Sequence, residues 1–285
     1  MKKNEKTLGL LLLAASLLAG CGSQSQSSSQ TSQSSQAESA KKASSQASSK
    51  SAAKSASSSA KSSSSQTSSK SAASSSQSTS TSADRIGTLT SQLRAKLPGM
   101  LLPTADGLGQ GSENLNVRYT SSASKNVVYY SVGTSPLALN DSQIASEKPY
   151  AVLTENKNVA DASSLINYQE AKTSLPAVKI ASGVTGTEEG AAGSTYLQFN
   201  QGQWSFVVRA SNVEGQKPLP TAQKLLALYQ QYGLPNATAK SSVQVDVGES
   251  LGSLNTVITW AKGSSVYQLN AHSTETAFKM LKSLS

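Results

Sequence analysis

Cysteine and histidine are nearly missing from this 285-residue chain, which has one of each, Cys21 and His272. A lone cysteine rules out a disulfide within the chain, and the pair rules out a zinc centre built from several Cys and His ligands. No metal and no cofactor are expected. From residue 23 to 83 there is also no Leu, Ile, Val, Phe, Met, Tyr or Trp. A stretch of Ser, Ala, Gln, Thr and Lys cannot bury enough apolar surface to offset the entropy of ordering its backbone, so disorder is expected there. What remains, 84–285, is long enough for one domain with a sizeable core.

Acidic residues are also scarce, and the net charge is +9. Its distribution argues against a nucleic-acid partner. Residues 1–22 carry +2 and residues 23–83 carry +5, which leaves only +2 on 84–285. That part offers no large basic field for phosphates. The spacer lysines can be drawn to anionic lipid or wall polymer, but such attraction is diffuse and salt-sensitive.

The chain begins MKKNEKTLGLLLLAASLLAGCG: a basic start, an apolar run over 8–18, then small residues. The run is too short to cross a hydrocarbon core of ~30 Å as a helix, which takes about 20 apolar residues. It has the three-part form of a cleaved export signal. Leu18-Ala19-Gly20-Cys21 resembles the lipobox of bacterial lipoproteins, and the sole cysteine stands where that motif requires it. The resemblance implies that Cys21 receives a diacylglyceryl group and that the chain is cut between Gly20 and Cys21. Two acyl chains give stable anchoring, at about 0.8 kcal/mol per buried methylene. An ordinary signal peptide with a chance cysteine, or an uncleaved anchor, is the bland reading.

The spacer spans roughly 40–47 Å as a flexible coil. It is similar to the Ser-rich spacers that follow the lipid-bearing cysteine in surface lipoproteins of Gram-positive bacteria. The expected organisation is a signal peptide over 1–20, the lipidated Cys21 with a disordered linker over 21–83, and one extracytoplasmic domain over 84–285. The protein would sit lipid-anchored on the outer face of the cell membrane.

Within 84–285, Ile86, Leu89, Leu93 and Leu97 recur at helical spacing and predict a helix over 84–97, stopped by Pro98. Paired strands are expected over 116–120 and 126–132, further strands over 148–153 and 177–181, and a short helix over 161–168. A hairpin over 195–208, turning at Gln201-Gly202, would pair Phe199 with Trp204 and Leu197 with Phe206. A helix over 220–232 should end at Gly233. A second hairpin, 255–260 with 265–270, puts Ile258, Trp260, Tyr267 and Leu269 on one face. A last helix, capped by Ser273 or Thr274, packs Ala277, Phe278, Leu281 and Leu284 onto the sheet. Hairpins interspersed with a few helices predict an α+β domain with an antiparallel sheet. Residues 260–284 are similar to the C-terminal end of uncharacterised lipoproteins of lactic-acid bacteria and other Firmicutes, where a Trp-Gly-Tyr hairpin leads into a terminal helix. That resemblance implies no activity.

Candidate chemistry is sparse. His272 lacks a local nucleophile or orienting acid, so it reads as a cap-adjacent histidine rather than a catalytic base. Glu188 and Glu189 lie in a Gly-rich stretch expected to be a mobile loop, and two carboxylates fall short of the six to eight oxygens calcium takes. Ser122 and Lys125 have the spacing found in penicillin-recognising enzymes, but they fall in a turn and no Lys-Thr-Gly follows. Two further Ser-x-x-Lys matches, at Ser39 and Ser58, are chance in so serine-rich a segment. Gly107, Gly109 and Gly111 lack the spacing of a dinucleotide-binding loop. Trp204 and Trp260 are the candidates for lining a glycan or peptide groove, against the simpler reading that both are core. The expectation is a non-catalytic binding domain for wall polymer, a peptide or an envelope protein. The alternative is an envelope hydrolase or transferase with a dispersed active site.

Overall fold

The structure is a computed structural model that describes residues 82–285. The expected leader, Cys21 and nearly all of the spacer lie outside the described residues. The described part is α+β, with three α-helices and one ten-stranded sheet. In chain order the elements are α1 (Ser82–Lys96), β1 (Leu115–Ser121), β2 (Lys125–Val132), β3 (Pro149–Asn156), β4 (Ala177–Ala181), β5 (Val184–Ala191), β6 (Ser194–Gln201) and β7 (Trp204–Ser211). Then follow α2 (Pro218–Tyr232), β8 (Ser241–Asp246), β9 (Thr256–Lys262), β10 (Ser265–Ala271) and α3 (Thr274–Lys282).

Across the sheet the strands run β1-β2-β3-β10-β9-β8-β7-β6-β5-β4. All neighbours are antiparallel except β7 and β8. Parallel strands need a long crossover, and α2 supplies it. Both α1 and α2 lead into a three-stranded meander, and the two meanders meet at the β3–β10 pair.

The helices pack on one face. There a cross-strand row of Val128, Leu153, Leu269, Ile258, Val243, Phe206 and Phe199 is almost fully buried, in one cluster with Ile86, Leu89 and Leu93 of α1, Leu225 of α2 and Phe278 of α3. Each such side chain stabilises the fold by about 1.5–3 kcal/mol through burial. Phe206 also stacks on Phe199, with centroids 4.6 Å apart, and meets Tyr229 edge-on at 5.6 Å.

Three expectations change. The first hairpin turns at Gly202-Gln203, so Gln201 faces Trp204, Phe199 faces Phe206 and Leu197 faces Val208. Gly202, at φ +57°, takes the first turn position, where a two-residue hairpin loop needs positive φ. The register moves by two residues, which leaves every side chain on its expected face. The Gly-rich stretch 186–193 is not a loop but most of β5 and its turn into β6. The helix expected over 161–168 shrinks to one 3-10 turn, Ala162–Ser164, because the chain must then run extended across the sheet.

The β1 edge is covered rather than left open to further pairing. Asn140, at φ +62°, donates its N–H to the Val117 carbonyl (3.1 Å), and its Oδ1 accepts from the Tyr119 N–H (2.6 Å). Asn116, fully buried, secures the same segment. Its Oδ1 accepts from the Leu137 N–H (2.8 Å) and Arg85 Nη2 (3.0 Å), while its Nδ2 donates to Glu147 (2.8 Å).

Candidate functional site

The face of the sheet away from the helices is only partly covered. Residues 157–176, which carry the chain from β3 in mid-sheet to β4 at the edge, cross it as a strap. One end is apolar: Ile166 packs on Ala261 and Val266, with Val159, Ala162 and Tyr168 alongside. The other end is held by polar contacts. The Gln169 N–H donates to Ser205 Oγ (3.1 Å), its carbonyl accepts from Asn200 Nδ2 (2.9 Å), and Gln198 Nε2 donates to the Glu170 carbonyl (2.6 Å). Lys172 and Glu189 pair at its margin.

Beside the strap the sheet lies open. One cross-strand row reads, from β6 to β1, Gln198, Val207, Gln244, Val257, Asn270, Val152, Tyr129 and Arg118. Gln244, Val207, Val257, Asn270 and Tyr129 are half-exposed, while Gln198 and Val152 are nearly covered. The charges stand at the margins. Arg118 lies over the Tyr129 ring, 3.6 Å from its centroid, and Arg209 pairs with Asp246 at 3.4 Å beside Tyr196. From β6 to β3 the row itself is uncharged. An outward sheet face usually alternates polar residues against an apolar core face, and here valines occupy three of the outward positions.

Two shallow hollows of about 210 Å³ each adjoin on this face and share Tyr196, Val207 and Gln244. The strap borders one and Leu254 and Asn255 border the other. Small-molecule sites are single concave cavities of about 300–1,000 Å³. Two shallow hollows that share three lining residues suit a ligand that spreads over both instead. Gln244 makes no side-chain hydrogen bond among the described residues, and Asn270 Nδ2 has only a 3.4 Å contact to Gln268.

The residues singled out from the sequence lie elsewhere. Trp260 is fully buried and stacked on Tyr267 at 5.3 Å, so it faces no groove. Its indole N–H, the Tyr130 hydroxyl and the Thr256 hydroxyl are buried without a partner among the described residues. Trp204 is 5 % exposed and borders a separate, open hollow with Tyr229 and Leu234 at the end of α2. Both indoles are turned inward by the alternation that buries Phe206 and Ile258. Glu188 and Glu189, as neighbours on β5, project to opposite faces and cannot converge on one cation. Among the described residues no group of three or more His, Cys, Asp or Glu side chains is placed to hold a metal.

His272 caps the end of β10. Its N–H donates to the Tyr150 carbonyl (2.8 Å), and Nε2 lies 2.9 Å from Thr276 Oγ1. Burial lowers its pKa, with Glu249 pulling weakly the other way. Ser122 and Lys125 close the β1–β2 turn on each other, with the Lys125 N–H donating to Ser122 Oγ (3.1 Å). A buried carboxylate that the sequence did not single out is Glu155, which accepts from Asn126 Nδ2 (2.8 Å), the Tyr267 hydroxyl (2.7 Å) and Ser265 Oγ (3.1 Å). It ties β2, β3 and β10 together on the core side, and burial pushes the Tyr267 phenol above its usual pKa.

The known proteins give no match. No family model, curated protein or solved structure matched this chain.

Proposed function

We propose that the chain is a lipid-anchored extracytoplasmic binding module that presents the open sheet face to a ligand of the cell envelope. The observation carrying the binding half is the uncharged row of outward amides and valines on β6 to β3, bounded by the strap on one side and by Leu254 and Asn255 on the other. Outward valines cost free energy in water, and an amide without a partner is ready to hydrogen-bond a ligand. The anchoring half rests on the export leader, the placement of Cys21 and the apolar-free spacer. Nothing in the described residues competes with that anchor as a membrane attachment through a helix, since none there is long and apolar enough to cross.

The anchor is tested by metabolic labelling with a fatty-acid probe and membrane fractionation of the Cys21→Ser variant. Labelling of the parent chain only, with release or misprocessing of the variant, is expected. An unlabelled parent, or a variant still processed and retained, contradicts the anchor. The face is tested by Val207→Glu, which places a charge in its middle. Retention of the variant by purified envelope material should fall at least tenfold below that of the parent chain, with the thermal midpoint little changed; equal retention contradicts the face.

A further inference from the structure

Resting on the binding reading above, the inference names the ligand class. On the open face an amide stands on every second strand, Gln198 on β6, Gln244 on β8 and Asn270 on β10, with Val207, Val257 and Val152 on the strands between and beyond. Neighbouring strands are 4.7–4.9 Å apart, so successive amides repeat at about 9.6 Å and the row spans about 24 Å from β6 to β3. Among the described residues Gln244 has no partner at either end of its amide, and Asn270 Oδ1 accepts nothing. Gln198, 7 % exposed at the strap end of the row, commits its Nε2 to the strap, while its Oε1 accepts nothing among the described residues.

This pattern discriminates among occupants. A peptide strand would need an unpaired sheet edge for its backbone, and the middle of a ten-stranded sheet has none. An anionic polymer would need free cations along the row, and Lys172 and Arg209, which border the hollows, are already paired with Glu189 and Asp246. An apolar partner would strip water from three amides without replacing their hydrogen bonds. A neutral sugar chain meets both demands, laying the C–H face of a ring on valine while its hydroxyl or acetamido groups bond an amide. In a β-1,4-linked chain each sugar is turned over relative to the last, so equivalent groups recur with every disaccharide, a repeat close to that of the amides.

We propose that the row is a ladder of subsites for a β-1,4-linked N-acetylhexosamine chain lying across the strands, with one disaccharide to every two strands. The acetamido N–H groups donate to the side-chain oxygens of Gln198, Gln244 and Asn270.

The test is calorimetric titration of the full chain with β-1,4-linked N-acetylglucosamine oligomers of two, four and six sugars. Affinity should climb at least tenfold from dimer to hexamer as successive rungs engage. Gln244→Leu and Asn270→Leu should each weaken the hexamer about tenfold, with circular dichroism and the melting midpoint preserved. Gln244→Ala gives the same readout if a leucine variant fails to fold. Length-independent binding, or full affinity in the folded variants, overturns the ladder. If no oligomer binds but Val207→Glu still abolishes retention by envelope material, the glycan assignment fails and the binding face stands. If that retention is absent as well, both fail.

Discussion

Gly107→Ala is a sharp test of how the long loop after α1 is held. Gly107 has φ +77°, and a Cβ there would lie 2.6 Å from the Thr276 carbonyl oxygen, 3.0 Å from Thr276 Cγ2 and 3.1 Å from Met280 Cγ. The nearest atom is backbone in the first turn of α3, so it cannot swing aside as a side-chain tip would. Gly109 is a matched control, at φ +86° with nothing within 4 Å of its Cβ position. A non-glycine residue at such φ costs about 1–2 kcal/mol, and that is all Gly109→Ala should lose. Gly107→Ala adds the overpacking term of about 1–3 kcal/mol, since either α3 or the loop must shift. The loop is pinned against that shift. Asp106 accepts from the Leu108 N–H (2.8 Å) and Ser112 Oγ (2.7 Å), and the Tyr150 hydroxyl donates to the Asp106 carbonyl (3.1 Å). Urea unfolding followed by fluorescence of the buried Trp204 and Trp260 reports the difference. A domain of this size also melts about 2–4 °C lower per kcal/mol lost. Equal losses within roughly 0.5 kcal/mol, the scatter of innocuous substitutions, would refute the claim that Gly107 is required by contact with α3.

Two further outcomes follow from single groups. Tyr130→Phe removes a fully buried hydroxyl with no partner among the described residues, so stability should hold or rise by up to about 1 kcal/mol; a loss of similar size in urea unfolding means the hydroxyl is bonded after all. His272 is held below its ordinary pKa of about 6.5 by burial, so the folded chain takes up its proton less readily than the unfolded one. Its contribution is therefore complete above that value and is lost as pH falls below it. Unfolding midpoints at pH about 7.5 and about 5 should drop more steeply for the parent chain than for His272→Gln, and parallel drops would count against that assignment.

Much of the fold was legible because period-two alternation survives an error of register. Phe199, Phe206, Ile258, Trp260, Tyr267 and Leu269 all face the core as their spacing implies, although the first hairpin turns one residue later than expected. β5 was illegible because its glycines read as loop. One of them, Gly186, is demanded by packing, since a Cβ there would lie 2.5 Å from the Gln198 carbonyl oxygen. β8 was missed because Ser241–Asp246 has only two apolar residues, and its parallel match to β7 depends on the path of α2 rather than on local pattern. The candidate face was not legible at all. Its row draws one residue from each of many strands spread from Arg118 to Asn270, and only the pairing of those strands makes them neighbours. The conspicuous tryptophans pointed away from it.

The central claim, that this open face receives a ligand, is tested most directly by methyl NMR of the full chain with labelled valines, titrated with solubilised envelope glycan. The methyls of the half-buried Val207 and Val257 are expected to shift, while those of Val128 and Val243 on the helix side of the sheet stay fixed. Shifts confined to the helix side, or none at saturating glycan, would contradict it.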